Sequence, residues 1–478
     1  MSDHNDTKNA PLMLSVSGCR GVIGRSITPE VASRFASAFV GALREDEGLG
    51  GGRLRIVFGR DGRAHSEALR MGAIAGLLAS GCDVIDLDVA PTPTVGVMTE
   101  HHDAHAGVVL TASHNPAEWN GLKCLMRAPD GGRCAAPDAQ RAGRIVRRFK
   151  DGRTAYAGHE GQGERSADDT GAHVHVARAL KAVERIAPVE SIRAAKLRVV
   201  VDCVNASGAR GARLLLDALG CVADMLHADD TGLFPHPPEP LRENLGDLCD
   251  RVRATNAHAG FAQDTDADRL ALVDEHGAYI GEEYTLALCA ASVLGASADA
   301  GGATLCTNLS TSRMVEDVAA LHGARVVRTP VGEANVVEAM LREGSPLGGE
   351  GNGGVIWPDV AMIRDSLGSM ALTLALMART GKPLSQLAAG VPAYVIEKRK
   401  VSIEGLDAAK ACAAVAGAFP DARVDTQDGV RIDTGEGDTA AWLHVRASNT
   451  EPILRLIGEA RTSERARALL DQAAVVIR

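Results

Sequence analysis

Leu110-Thr111-Ala112-Ser113-His114-Asn115-Pro116, continued through Asn120-Gly121-Leu122-Lys123, carries the first sign of how this chain folds. Ahead of it runs Ala106-Gly107-Val108-Val109-Leu110, a short, Val-rich apolar run that predicts a buried strand. Pro116 and the residues after it predict a turn or helix entry. Ser113 therefore falls where a strand stops. Its hydroxyl can enter the crevice at the carboxyl ends of a sheet, where open α/β folds bind ligands. A serine at a strand end is more often a turn residue or an N-cap. The adjacent His114, the Asn115-Pro116 pair and Lys123 ten residues on set this one apart.

Outward from that stretch, strands and helices alternate. Before it, residues 12–16 read as a strand, with Ser17-Gly18-Cys19-Arg20-Gly21 as the loop that ends it. A helix follows from Thr28-Pro29-Glu30 to Arg44, then a strand over 54–59 leading to Arg60-Asp61-Gly62-Arg63, a helix over 67–80, a strand over 82–88 and a helix from about Thr94. After it, residues 151–172 read as a loop. The pattern then resumes over 173–226, with Pro235, Pro237, Pro238 and Pro240 marking an irregular loop, and again from Ile280 to Ala378. Such alternation argues for doubly wound parallel sheets. Residues beyond the linker 381–393 alternate less regularly and read as α+β. The predicted architecture is three similar doubly wound α/β domains (12–160, 161–275 and 276–386) and a smaller C-terminal α+β domain (387–478).

A length of 478 residues calls for several cores. A net charge of −10 argues against a nucleic-acid footprint. The ten cysteines are scattered without a C-x-x-C pair, so they read as buried thiols of a reducing compartment rather than zinc ligands. The polar N-terminus has no signal-peptide core, and the apolar run 367–377 is too short to span a bilayer. A cytoplasmic protein with no membrane partner is the expectation. His101, His102 and His105 read as a polar surface turn, and 141–153 as a solvated helix face.

Three further loops carry chemistry. Asp264-Thr265-Asp266-Ala267-Asp268-Arg269 directly follows the apolar strand 259–262. A bare D-x-D-x-D is usually a solvated acidic turn. At the end of a buried strand, three converging carboxylates repel unless a cation joins them, and an oxygen-only set suits Mg²⁺. Glu350-Gly351-Asn352-Gly353-Gly354 is either a flexible turn or a pair of groups for adjacent sugar hydroxyls. Arg446-Ala447-Ser448-Asn449-Thr450, with Arg455 beyond it, is either a capped turn or a phosphate site built from a guanidinium fork and turn amides.

Taken in order and spacing, these loops resemble the α-D-phosphohexomutases, the superfamily of phosphoglucomutase, phosphomannomutase and phosphoglucosamine mutase. The resemblance rests on Thr111-Ala112-Ser113-His114-Asn115-Pro116, Asp264-x-Asp266-x-Asp268-Arg269, Gly349-Glu350-Gly351-Asn352-Gly353-Gly354 and Arg446-x-Ser448-Asn449-Thr450-Glu451-Pro452, with Ser17-Gly18-x-Arg20-Gly21 near the start. It implies four domains around a central cleft and a mutase that interconverts hexose 6-phosphate and hexose 1-phosphate through a 1,6-bisphosphate. It further implies a phosphoserine at Ser113, and Mg²⁺ held by Ser113, Asp264, Asp266 and Asp268. Arg20, His114 and Lys123 would stand near the transferring phosphate. Arg269, Glu350, Asn352, Arg446, Ser448, Asn449, Thr450 and Arg455 would bind substrate. The Glu350 loop looks most like archaeal-type phosphoglucosamine mutases, with mannose and glucose phosphates as alternatives; monomer or homodimer stays open. Two positions depart from the pattern. Thr265 stands where Gly or Pro is usual, the one hint of an inactive sugar-phosphate binder, and Glu333 stands where some members place His. A metal-dependent phosphohydrolase with Ser113 as transient nucleophile is the rival from another enzyme class.

Overall fold

The computed structural model describes residues 11–127, 132–297, 299–403, 407–447 and 453–477. Four sheets carry the chain. The first has the spatial order Met13–Ser15, Gly18–Val22, Trp119–Arg127, Ala106–Leu110, Leu54–Arg60, Cys82–Val89 and Arg165–Ala167, with Cys134–Ala135 beside Trp119–Arg127. Its centre is parallel and its Gly18–Val22 side antiparallel. Successive side chains of Leu54–Arg60 alternate between faces, as strand geometry requires. Ile56 and Phe58 join a core with Phe35, Phe39 and Leu77 of helices Pro29–Gly41 and Glu67–Ala79. Val57 faces the opposite way, toward Val95 and Met98 of helix Thr92–His101.

The second and third sheets repeat one plan: three parallel strands and an antiparallel edge. Their orders are Val222–Leu226, Arg198–Asp202, Ala259–Gln263, Leu270–Val273, and Arg325–Thr329, Thr304–Asn308, Gly348–Glu350, Gly354–Ile356. Helix Ser366–Thr380 is buried continuously from Ser366 to Met377 and packs among helices Gly171–Val183, Ala209–Ala218 and Glu283–Ala296. A helix apolar on all sides belongs inside a core. Here it fuses the second and third units around one. Among the described residues no helix is long and apolar enough to cross a membrane. The fourth sheet is antiparallel throughout, in the order Val395–Ser402, Ile453–Ala460, Ala441–Ala447, Val430–Thr434, Arg423–Asp425, and helices Ala408–Gly417 and Ser463–Ile477 complete its core.

Several local expectations give way. Residues 18–22 form a strand rather than a loop, so Arg20 is fixed in register opposite Gly121. Past Pro116 the turn of the two alternatives forms, with no helix. A turn leads into strand Trp119–Arg127, which places Lys123 opposite Val109. The Gly-rich loop follows a strand and reverses into an antiparallel partner. Gly353 takes φ +81° there, and a Cβ would meet Leu270 O at 2.4 Å, so glycine lets the loop lie against the neighbouring strand. The short helix Leu384–Ala389 and the strand Arg165–Ala167 occupy stretches read as connections. They are too brief for hydrophobic periodicity to register.

Candidate active site

Ser113 lies three residues beyond Leu110, where the strand Ala106–Leu110 ends, and is 2% exposed. It adopts φ +51°, a left-handed conformation costly for a residue with a Cβ. A dense set of bonds holds it there. The Ser113 amide donates to Thr111 Oγ1 (2.8 Å), and Thr111 Oγ1 donates to Asp61 Oδ2 (2.7 Å). The fully buried Arg63 donates to the carbonyls of Ser113 (2.8 Å), Pro116 (2.9 Å) and Trp119 (2.6 Å) while pairing with Asp61 Oδ2 at 3.0 Å. Thr265 is fully buried too. Its hydroxyl lies 2.8 Å from Ser113 O and 3.1 Å from Asp61 Oδ2. The departure from Gly or Pro at this position therefore ties the acidic loop to the serine loop.

The acidic triplet follows strand Ala259–Gln263, and all three carboxylates are fully buried. Ala267 takes φ +49°, which curls the loop on itself. Asp264 Oδ1 accepts the amides of Asp268 (3.1 Å) and Arg269 (3.2 Å), and its Oδ2 accepts Ser113 Oγ at 3.0 Å. Asp266 Oδ2 accepts Thr92 Oγ1 (2.6 Å) and Lys123 Nζ (2.5 Å), and Lys123 also reaches Asp268 Oδ2 at 2.9 Å. Burial, with Asp268 and Asp266 alongside, pushes the Asp264 carboxyl well above its usual range. Asp266 Oδ1 and Asp268 Oδ1 are buried without a hydrogen-bond partner. Three carboxylates whose ligand oxygens lie within 4.8 Å of one another, two of them with orphaned oxygens, fit a hard divalent cation such as Mg²⁺. Burial alone would lower the Lys123 pKa, but Asp266 and Asp268 raise it above normal. Lys123 is thus a fixed ammonium.

Above these groups lies a cavity of about 280 Å³, lined by Arg20, Ser113, Lys123, Arg269, Glu350 and Asn352 among others. Six predicted site residues from three sheets thus share one space. Arg364 and Glu333 also line it. Arg364 joins the acidic loop to the Gly-rich loop, reaching Asp268 Oδ2 (2.6 Å), Glu350 Oε2 (2.8 Å) and Glu333 Oε2 (3.2 Å). Asn308 Nδ2 donates to Glu350 Oε1 at 2.8 Å, so both Glu350 oxygens are held in place. His114 stands beside the cavity, its Nδ1 3.3 Å from Ser113 Oγ. Burial and the nearby Arg269 and Arg20 pull its pKa down to about 2, keeping the ring neutral. Its Nε2 and Arg269 Nη1 face Glu239 Oε1 at 3.8 and 3.7 Å.

The predicted phosphate loop is met only at its edges. Ser448, Asn449 and Thr450 lie outside the described residues. Arg446 is the penultimate residue of strand Ala441–Ala447, opposite Arg455, with its Nε 2.9 Å from Asp428 Oδ2. That carboxylate oxygen also accepts the amide of Val331 (3.1 Å), which lines the cavity. Neither Arg446 nor Arg455 lines the cavity itself. Sequence reasoning assigns Asp61, Arg63, Thr92 and Arg364 no place in the site, and Glu333 enters only as a departure. A signal for three of them was present: Arg60-Asp61-Gly62-Arg63 closes a strand, and Arg364-Asp365 interrupts the apolar run 360–363. Nothing local told a buried network from an exposed charged turn.

Four families described as phosphoglucomutase/phosphomannomutase domains match the chain in order. Alpha/beta/alpha domain I matches residues 13–152, domain II 177–277, domain III 281–394 and the C-terminal domain 397–475. A protein of Methanopyrus kandleri (strain AV19) named "Probable phosphoglucosamine mutase" is 38% identical over 465 residues, 97% of each chain. A Thermococcus kodakarensis protein named "Phosphoglucomutase/phosphomannomutase" is 38% identical over 456 residues, 95% of this chain and 96% of that one. The crystal structure of a phosphoglucomutase/phosphomannomutase family protein from Burkholderia thailandensis is similar, with a TM-score of 0.79 at 29% identity, covering 97% of this chain and 98% of that one.

Proposed function

Since the chain belongs to the phosphoglucomutase/phosphomannomutase family of phosphohexomutases, we propose that it interconverts hexose 6-phosphate and hexose 1-phosphate through a phosphoserine at Ser113, with glucosamine phosphate as its sugar. The observation that carries this reading is Ser113 Oγ, 3.0 Å from Asp264 Oδ2, in a cavity that also takes in Lys123, Glu350 and Asn352. The free 1- or 6-hydroxyl of a bound hexose monophosphate attacks the phosphorus of phosphoserine 113 in line. A sugar O–P bond forms, the Oγ–P bond breaks, and the hydroxyl proton ends on Oγ. The 1,6-bisphosphate turns end for end, and Ser113 takes back the other phosphoryl group by the reverse step.

Asp264, Asp266, Asp268 and an oxygen at Ser113 would hold Mg²⁺, which when bound neutralises phosphoryl oxygens. Lys123 and Arg20 supply fixed positive charge to the transferring group, and a protonated Lys123 serves as donor rather than base. His114, neutral, orients Ser113 Oγ. Glu350 and Asn352 position sugar hydroxyls. Arg269, Arg446 and Arg455, with Ser448, Asn449 and Thr450, take the phosphate that does not react. The form of the Glu350 loop and the Methanopyrus kandleri relative's name support glucosamine phosphate. Mannose or glucose phosphate is the second reading, supported by the equal identity of the Thermococcus kodakarensis relative. All ten cysteines are free thiols, which supports a reducing, cytoplasmic setting. The partner is a small phosphosugar, and the assembly a monomer or homodimer.

Intact-protein mass after incubation with a hexose 1,6-bisphosphate tests the phosphoserine. The wild type should gain one phosphate and Ser113→Ala none; a wild type that never holds phosphate overturns the mechanism and leaves an inactive binder. Parallel assays on glucosamine 6-, glucose 6- and mannose 6-phosphate identify the sugar. Release of inorganic phosphate as fast as isomerisation would mark a phosphohydrolase instead.

A further inference from the structure

A second group of metal-ligating side chains lies away from the cavity. Asp202 ends the buried strand Arg198–Asp202, and its Oδ1 accepts the amide of Val204 at 3.0 Å. Its Oδ2 faces two imidazoles, His227 Nδ1 at 3.1 Å and His236 Nε2 at 3.0 Å. The tautomer of His236 decides what this means. Its Nδ1 lies 2.8 Å from Pro237 O, which can only accept, so Nδ1 carries the hydrogen. A neutral His236 then turns the bare Nε2 lone pair toward a carboxylate oxygen that also only accepts. Two acceptors 3.0 Å apart require a positive charge between them, either a second ring proton or a metal ion. A ring nitrogen facing a shared centre while the other donates to a backbone carbonyl is the usual setting of a metal-bound histidine. Separations of 3.0 and 3.1 Å match ligands held roughly 90–100° apart on an ion with bonds of about 2.0–2.2 Å.

We propose that Asp202, His227 and His236 form a second cation site, distinct from the acidic triplet, for a borderline divalent ion of the Zn²⁺ class. Two nitrogens and one oxygen select such an ion over Mg²⁺. The three ligand atoms lie within 4.8 Å of one another. The site clips a loop that buttresses the serine loop. Between the two histidines, Gly232 O accepts the amide of Ala64 (3.0 Å), and Phe234 lies under the Arg63 guanidinium, 5.2 Å from ring centroid to Cζ. Three residues past His236, Glu239 faces His114 and Arg269.

The test uses the full chain, stripped with a chelator and dialysed against Zn²⁺ in excess Mg²⁺. One equivalent of Zn²⁺ per chain should be retained, with affinity at least tenfold weaker in His236→Gln and in His227→Gln and unchanged in Asp266→Asn. Zn²⁺ should raise the melting temperature of the wild type and not of His236→Gln. Co²⁺ needs no variant: added to the Mg²⁺-saturated wild type, it should give the strong visible bands of a low-coordinate, nitrogen-ligated ion. No retained Zn²⁺ would show that a proton bridges the cluster and would overturn the proposal. So would Zn²⁺ binding lost only with Asp266→Asn, or weak, octahedral, oxygen-type Co²⁺ bands.

Discussion

Thr265 links two loops that the chain separates by more than 150 residues. Its hydroxyl is the only part of it that reaches Ser113 O and Asp61, so Thr265→Val keeps the volume and removes the tie. Losing a buried hydrogen bond costs about 1–3 kcal/mol. Urea unfolding should show that loss, and single-turnover phosphorylation of Ser113 should slow, because φ +51° is no longer held on this side. An unchanged rate would leave Thr265 a filler of space. Lys123 makes a sharper case. It is the ammonium shared by Asp266 and Asp268, and Lys123→Met would take it from the buried Asp266 and leave Asp268 to Arg364. Removing one partner of a buried pair costs about 3–5 kcal/mol. Added Mg²⁺ should restore part of that stability, read as a melting-temperature rise larger than the wild type's. Because its pKa is raised, Lys123 is charged throughout the neutral range, so no activity limb between pH 6 and 9 should move in Lys123→Arg.

Strand Ala441–Ala447 attaches the fourth domain to the third through His444. The ring is fully buried, with Nε2 2.7 Å from Asp428 O and Nδ1 2.8 Å from Ser310 Oγ. Nε2 donates to the carbonyl and Nδ1 accepts the hydroxyl, so the native ring is neutral. Burial lowers its pKa to about 4 against an unfolded value near 6.5. The sign follows: the unfolded chain binds the proton first as pH falls. The stabilisation is whole above about pH 6.5 and drains away toward pH 4, at no more than about 1.4 kcal/mol per pH unit. The urea midpoint should therefore fall further from pH 7.5 to 5.0 in the wild type than in His444→Gln; equal falls would show that another group dominates.

Across the whole molecule, helix Ser366–Thr380 makes one core of two units. Leu372→Ala, at a fully buried position, should cost about 2–5 kcal/mol and lower both units together in a single transition. Two separable transitions in calorimetry would show that the shared core does not couple them. The same helix is capped by Asp365, which follows Arg364, so the core that joins the units also sets the guanidinium that spans Asp268 and Glu350.

How much was legible divides along physical lines. Period and turn chemistry act between near neighbours, so the α/β alternation, the strand before Ser113 and the strand before Asp264 could be read directly. So could the donor types at Ser113, Asp264, Asp266, Asp268, Glu350 and Asn352. The strand at Arg20 and the strand Trp119–Arg127 could not, because their pairing partners lie about 100 and about 15 residues away, and pairing rather than propensity made them strands. Asp61, Arg63 and Arg364 have the local pattern of exposed charge. Only long-range burial turned them into the frame of the site, and only the meeting of Asp202 with His227 and His236 made a cluster of them. Sequence by itself determined which chemistries the chain carries and on which elements. Tertiary structure alone decided which of them share a space, because side-chain contact depends on sheet order and register, set by chain segments hundreds of residues apart.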